Sequence, residues 1–199
     1  MSRVTFRGLI AFVVVLVVLL AGFAYENGWF GGGEINSAAS LPIGGPFSLT
    51  DQNGTARQDS DFRGKLMLVY FGYVYCPDVC PTTLAAMSQA LDQLGPESDQ
   101  VQPIFITVDP ERDTPAQLKL YATNFHPRLL ALTGSPEQVV VAEKDYRVYA
   151  KKVAEPGQAD YLMDHSSFIY LMDRNGKPAE LLPPGTGADA MAAAIRSHL

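Results

Sequence analysis

The stretch KLMLVYFGYVYCPDVCP, residues 65–81, decides how the chain folds. Its LMLVYF portion is continuously apolar and rich in β-formers, which is the pattern of a strand buried on both faces of a sheet. Cys76 and Cys80 follow this strand, and residues 82–94 then place leucine and methionine at helical spacing before Gly95. We therefore predict a central strand, a loop with two cysteines, and a helix that begins just after them.

The rest of the chain alternates between strand and helix patterns. A first hairpin is predicted to turn at Asn53 and Gly54. The later predicted elements are a strand at 101–108, a helix at 116–124, a strand at 129–133, a helix at 135–148, strands at 167–172 and 177–182, and a helix at 187–198. This order predicts an α/β domain with a mixed, mainly parallel sheet flanked by helices. A strand that leads into a cysteine loop and a helix is the thioredoxin arrangement.

The first forty residues predict an anchor and a linker. Residues 8–25 are an uncharged apolar stretch, close to the ~20 residues that cross a bilayer as a helix. Basic residues within 1–7 favour a cytoplasmic N-terminus and export of the remainder. Residues 31–40 are mostly small and polar, which predicts a flexible linker at 26–40 before a domain at 41–199. A cleaved signal peptide is the alternative. In both cases the domain faces an extracytoplasmic, oxidising compartment, which we expect to be the periplasm beside a bacterial inner membrane.

Composition excludes several classes of protein. The formal net charge is −6 and no basic run is present, so nucleic acid is not an expected partner. Only two cysteines occur, which excludes a disulfide scaffold. A bridge between Cys76 and Cys80 would close a very short loop and restrict the unfolded chain little. The pair is therefore expected to have a chemical role.

The two cysteines and one histidine form a candidate metal site. The partial positive charge of a helix N-terminus acidifies nearby thiols, and the thiolate is both the nucleophile and the soft-metal ligand. Two thiolates suit Cu(I) or zinc, and an added imidazole suits copper in either oxidation state. His165 precedes the strand at 167–172, in a loop expected to face the cysteines. His126 is expected at a helix end and His198 near the frayed C-terminus.

Three acidic residues are candidates for supporting roles around that site. Asp164 either orients the imidazole of His165 or caps a turn. Asp78, between the cysteines, supplies an oxygen ligand, holds a basic partner, or hydrogen-bonds to the backbone of its own loop. Asp109 follows a strand at its carboxyl end, where ligands of α/β proteins gather, or it caps the next turn.

The combined motifs resemble the Sco/SenC family of copper proteins. The string CPDVCP follows FGY, and the triplet DHS at 164–166 stands about ninety residues further on, before an apolar strand. A second string, VDPERDT at 108–114, also matches. The resemblance implies a thioredoxin-like fold that binds one copper ion through Cys76, Cys80 and His165. It also implies a membrane-anchored metallochaperone that helps to build the dinuclear copper centre of cytochrome c oxidase subunit II, with that subunit or another copper or thiol protein as its partner.

Two other functions use the same cysteines. A membrane-anchored thiol–disulfide oxidoreductase would keep partner cysteines reduced with Cys76 and Cys80 and would not need His165. A thiol peroxidase is disfavoured, because Val69 and Tyr73 stand where a peroxiredoxin has its proline and threonine. We expect a metallochaperone rather than an enzyme, with the oxidoreductase as the alternative.

Overall fold

The computed structural model describes residue 16 and residues 43–154 and 161–199. The predicted anchor at 8–25, apart from Leu16, and the predicted linker at 26–40 lie outside these described residues. Within the described part of the chain, no helix has both the length and the apolar character needed to cross a membrane. The fold described below lies in one compact unit, Pro42–Leu199.

The described elements alternate much as predicted. In chain order they are β1 (Ser48–Asp51), β2 (Ala56–Gln58), β3 (Leu66–Gly72), α1 (Val79–Leu94), β4 (Val101–Thr107), α2 (Pro115–Ala122), β5 (Leu130–Thr133), α3 (Pro136–Asp145), β6 (Ala150–Ala154), β7 (Tyr161–His165), β8 (Ile169–Met172), β9 (Pro178–Leu182) and α4 (Ala188–Ser197). Seven strands form one sheet in the order β2-β1-β5-β4-β3-β8-β9. The strands β3, β4 and β5 are parallel and the others pair antiparallel. The predicted mixed sheet of thioredoxin type is confirmed. The prediction that it is mainly parallel was wrong, because antiparallel hairpins form both edges and only two of the six pairings among its described strands are parallel.

Strand β3 lies at the centre of the fold. All seven of its residues are buried, and it pairs with β4 on one side and β8 on the other. Burial on both faces explains why its sequence shows no apolar–polar alternation. Helix α1 buries Leu84, Met87 and Leu91 and packs beside α4. The carboxyl end of β3, where the cysteine loop begins, is therefore fixed by a fully buried strand.

Several predicted boundaries differ from the structure. Helix α1 begins at Val79 rather than 82, so Cys80 lies in its first turn. Helix α3 ends at Asp145 rather than 148, because Arg147 adopts a left-handed backbone conformation with φ 58°.

The antiparallel hairpin of β6 and β7 is the main element that sequence patterns did not predict. Most residues of β6 are exposed, so its sequence lacks the apolar alternation that predicts a half-buried strand. His165 therefore ends a strand of a separate two-stranded sheet rather than lying in a loop before β8.

Candidate metal centre

The two cysteines lie where β3 passes into α1. Cys76 is in the connecting loop, 8% exposed, and Cys80 is fully buried in the first turn of the helix. The absence of a side chain at Gly72 makes room for the second thiol, because a Cβ there would lie 2.9 Å from the Cys80 Sγ. Both thiols are free. The core strand and the helix start thus place two sulfurs at one edge of the sheet.

The pKa values of the two thiols are shifted in opposite directions. The backbone N–H of Cys80 donates to the Cys76 Sγ over 3.3 Å. The pKa of Cys76 is lowered to about 4, chiefly by hydrogen bonding from the Cys80 side chain and also by His165 and backbone amides, whereas burial acts in the opposite direction. The same hydrogen bond, together with burial, raises the pKa of Cys80. At neutral pH the pair therefore holds one proton, on Cys80, and presents the thiolate at Cys76.

His165 completes the cluster from the end of β7. Its Nε2 lies 3.5 Å from the Cys80 Sγ, and its Nδ1 lies 2.9 Å from the carbonyl oxygen of Ser166. A carbonyl only accepts hydrogen bonds, so Nδ1 carries the proton and the lone pair of Nε2 faces the sulfurs. The ring stands edge-on to Tyr73, with centroids 5.8 Å apart and planes at 88°. The imidazole is held in the tautomer that a metal ligand requires.

One donor atom from each of Cys76, Cys80 and His165 lies within 4.8 Å of the others. Two sulfurs and one imidazole nitrogen match the preferences of Cu(I) and also of Cu(II) or zinc. An open pocket of ≈ 620 Å³ adjoins the cluster and is lined in part by Val79, Val153 and Leu162. The arrangement can hold one soft metal ion near the surface, or it can close to a disulfide when the thiols are oxidised.

The predicted acidic residues lie around the cluster but not in it. Asp78 is exposed just before α1, and Asp164 is exposed on β7 at the edge of the pocket. The carbonyl of Ser166, rather than the carboxylate of Asp164, bonds to the imidazole Nδ1. Asp109 is buried, and its carboxylate accepts hydrogen bonds from Arg112 and from the hydroxyl of Tyr161.

The other two histidines lie elsewhere. The Nδ1 of His126 accepts a hydrogen bond from the backbone of Arg128, at 3.2 Å. The Nε2 of His198 lies 3.3 Å from a carboxylate oxygen of Glu180. Neither histidine belongs to the three-residue cluster.

Sequence patterns missed three residues next to the site. Tyr70, in the middle of β3, places its hydroxyl 3.7 Å from the Cys80 Sγ. Arg112 and Asp113 contact the segments that carry the histidine and the cysteines. For Arg112 and Asp113, the only sequence signal was the polar string at 108–114, whose role depends on contacts with residues distant in the chain.

Comparison with protein families gives one clear match. The family model described as SCO1/SenC matches residues 36–199. The protein SCO2 homolog of Mus musculus is 41% identical over 183 residues, covering 90% of this chain and 72% of the relative. The homolog of Bos taurus is 43% identical over 157 residues, covering 78% of this chain and 59% of the relative. The chain therefore spans about three fifths of the bovine protein's length.

Solved structures match as well. The structure of Bradyrhizobium japonicum ScoI with copper bound is 48% identical, with a TM-score of 0.74, and covers 79% of this chain and 99% of that one. BsSco, which carries a disulfide switch and belongs to the Sco family of cytochrome c oxidase assembly proteins, is 27% identical. Its TM-score is 0.62, and the match covers 79% of this chain and 94% of BsSco.

Proposed function

The chain belongs to the SCO1/SenC family, and we propose on this basis that it is a copper metallochaperone. Its cargo is one copper ion, held by Cys76, Cys80 and His165. Its recipient is the dinuclear copper centre of cytochrome c oxidase subunit II. The observation that carries the proposal is the cluster of two sulfurs and one imidazole nitrogen within 4.8 Å. The similar ScoI structure with copper bound and the assembly role of the family of BsSco support it.

The site suits a carrier better than a permanent metal centre. Three protein donors leave room in the coordination shell of copper for an incoming ligand from a partner. The adjoining pocket is open and bordered by Val79 at 37%, Val153 at 40% and Leu162 at 41% exposure. A ligand from the partner can therefore reach the ion while this chain still holds it. Copper then moves by exchange of ligands, without passing through free solution.

A periplasmic location fits this function. The apolar stretch at residues 8–25 supports an anchor in the inner membrane, with the domain on the extracytoplasmic side. An anchor keeps donor and recipient in one plane and raises their effective concentration.

A second function is favoured by the acidity of Cys76. The lowered pKa of about 4 makes this residue a thiolate at neutral pH, next to a second thiol on Cys80. The thiolate can attack a disulfide of a partner, and Cys80 then resolves the mixed disulfide. Two electrons and the proton of Cys80 pass to the partner, a second proton comes from water, and Cys76 and Cys80 become the disulfide. This reductase activity excludes bound copper in the oxidised state, so the two functions alternate.

Copper binding by the reduced full chain in detergent tests the proposal. We expect one copper per chain by metal analysis and a sulfur-to-Cu(II) charge-transfer band. His165→Ala is expected to weaken or remove that band, and His126→Ala, outside the cluster, is expected to leave it unchanged. If the wild-type chain holds no copper, or if the band is unchanged in His165→Ala, the metallochaperone proposal fails. The dithiol reductase would then be the better account.

A further inference from the structure

The segment of residues 109–113, between β4 and α2, lies beside both halves of the candidate metal centre. Strand β4 runs parallel to β3, and Thr107 pairs with Gly72 at their carboxyl ends. The backbone N–H of Val108 donates to the carbonyl of Gly72 over 2.8 Å. The polar residues that follow β4 are therefore placed next to the loop that follows β3.

Asp113 connects this segment to the cysteine loop. Its side chain is fully buried, and one carboxylate oxygen accepts hydrogen bonds from the Val74 N–H at 3.0 Å and the Thr107 hydroxyl at 2.6 Å. Val74 stands two residues before Cys76. Hydrogen bonds to a charged, buried acceptor are among the stronger ones in proteins. Asp113 therefore holds the start of the cysteine loop in place.

Arg112 connects the same segment to the strand that carries His165. Its Nε donates to Asp109 over 2.5 Å, and its Nη1 donates to the carbonyl of Tyr161 over 3.0 Å. The guanidinium carbon lies 3.7 Å from the centre of the Tyr161 ring, a cation–π distance. The Tyr161 hydroxyl in turn donates to Asp109 over 2.7 Å. Tyr161 begins β7, and His165 ends it.

These contacts matter because the hairpin of β6 and β7 lies outside the main sheet. Among the described residues, its two strands pair only with each other. Its placement against the cysteine loop thus depends on side chains. Arg112 contributes to this placement from both sides, because its guanidinium also lies 4.8 Å from the centre of the Tyr75 ring, next to Cys76.

We propose that Arg112 is a positioning residue that sets the imidazole of His165 against the two sulfurs, while Asp113 holds the sulfur side. This inference rests on the proposed copper site. It predicts that Arg112 affects the two oxidation states of copper differently. Cu(I) is satisfied by two thiolates, which the cysteine loop supplies alone. Cu(II) gains from the imidazole and so depends on Arg112.

A double-mutant cycle with His165 tests the inference. Cu(II) affinity is measured by competition with a chelator, using the reduced full chain in detergent. We expect Arg112→Ala to weaken Cu(II) binding about tenfold, within the range found for residues that support metal ligands. In the His165→Ala background the same substitution is expected to have no effect, because the ligand it positions is gone. Cu(I) affinity is expected to stay unchanged in both backgrounds.

Arg174→Ala is the matched control. Arg174 donates to the backbone carbonyls of Gly64 and Leu199, near the amino end of β3 and away from the cysteines. It tests whether loss of any well-bonded arginine lowers the affinity. A copper-free measurement accompanies the cycle: the imidazole ¹⁵N signals of His165 in the apo-protein are expected to shift in Arg112→Ala and not in Arg174→Ala.

The outcomes separate the two proposals. A wild-type chain that binds no copper overturns the proposed function itself. Two outcomes overturn only the positioning role in a wild-type chain that binds copper. Arg112→Ala binds Cu(II) as tightly as the wild type, or the losses of Cu(II) affinity in Arg112→Ala and His165→Ala are additive. Equal losses in Arg174→Ala and Arg112→Ala also overturn it. Should Arg112→Ala not fold, Arg112→Lys replaces it. Lysine keeps the charge near Asp109 but not the forked geometry, so its Cu(II) affinity must still fall below that of the wild type.

Discussion

The candidate site joins two regions with very different packing. The cysteine side is an extension of β3, in which every residue is buried, and of α1, whose first turn holds a fully buried Cys80. The histidine side is a two-stranded hairpin in which most residues of β6 are exposed. The soft ligands are thus preorganised by the core, whereas the imidazole depends on a few side-chain contacts. Changes in the two regions should therefore have different consequences.

The largest effect is expected from removing a sulfur. Cys80→Ser should weaken binding of both Cu(I) and Cu(II) by more than about 100-fold, because loss of even a supporting residue costs about 10- to 100-fold. His165→Ala should spare Cu(I), which needs only the two thiolates. Competition titrations of each oxidation state measure the difference. Equal Cu(I) losses in the two variants would remove the distinction between the regions.

Stability should show the same contrast. Leu68 in β3 is fully buried, so Leu68→Ala is expected to lower the free energy of unfolding by about 2–5 kcal/mol. Leu162 in β7 is 41% exposed, and Leu162→Ala is expected to cost less than about 1 kcal/mol. Urea unfolding of the apo-protein measures both values. A hairpin variant as costly as the core variant would show that the hairpin belongs to the same cooperative unit.

A smaller effect is expected where β3 meets Cys80. A methyl group at Gly72 would lie 2.9 Å from both the Cys80 Sγ and the Phe105 ring. Gly72→Ala is therefore expected to cost about 1–3 kcal/mol, as overpacking of a core typically does, and to weaken copper binding. Gly187→Ala is the control, because a Cβ there meets nothing and its φ is −74°. Unchanged copper affinity in Gly72→Ala would show that the Cys80 sulfur tolerates displacement.

The smallest effect concerns a charge beneath the hairpin. Glu143 in α3 lines a cavity with Ala150 and Met163, and burial raises its pKa from 4.5 to about 7. The folded state thus binds a proton more tightly than the unfolded state, so this group lowers stability as pH rises from 4.5 to 7. Glu143→Gln should raise the thermal midpoint at pH 8 relative to wild type, with the gain disappearing near pH 4.

The exposed Glu137 on the same helix supplies the control for that measurement. Glu137→Gln is not expected to raise the midpoint at pH 8, since its carboxylate accepts a hydrogen bond from Ser135. A flat pH profile in the wild type, or an equal gain in both variants, would show that the partial burial of Glu143 does not raise its pKa in solution.

The predictability of the molecule follows the same division. Strand β3 and helix α1 were predictable because their burial imposes long apolar patterns on consecutive residues. The hairpin was missed because most residues of β6 are exposed and only one residue of β7 is buried, so neither strand shows such a pattern. Asp109 was singled out for its position after β4, but its hydrogen bond with Tyr161 joins residues 52 positions apart in the chain. Local patterns do not contain such contacts.

The sequence by itself determined the α/β class, the cysteine pair at a helix start and the family to which the chain belongs, because these depend on local periodicity and on short motifs. Only the tertiary structure decided which tautomer His165 adopts, which thiol is acidic, and how Arg112 and Asp113 contact the two halves of the site. Those properties arise from distances and burial among groups far apart in the chain. These interactions act over a few ångströms, so their energies depend on the folded geometry. Local sequence patterns do not specify that geometry.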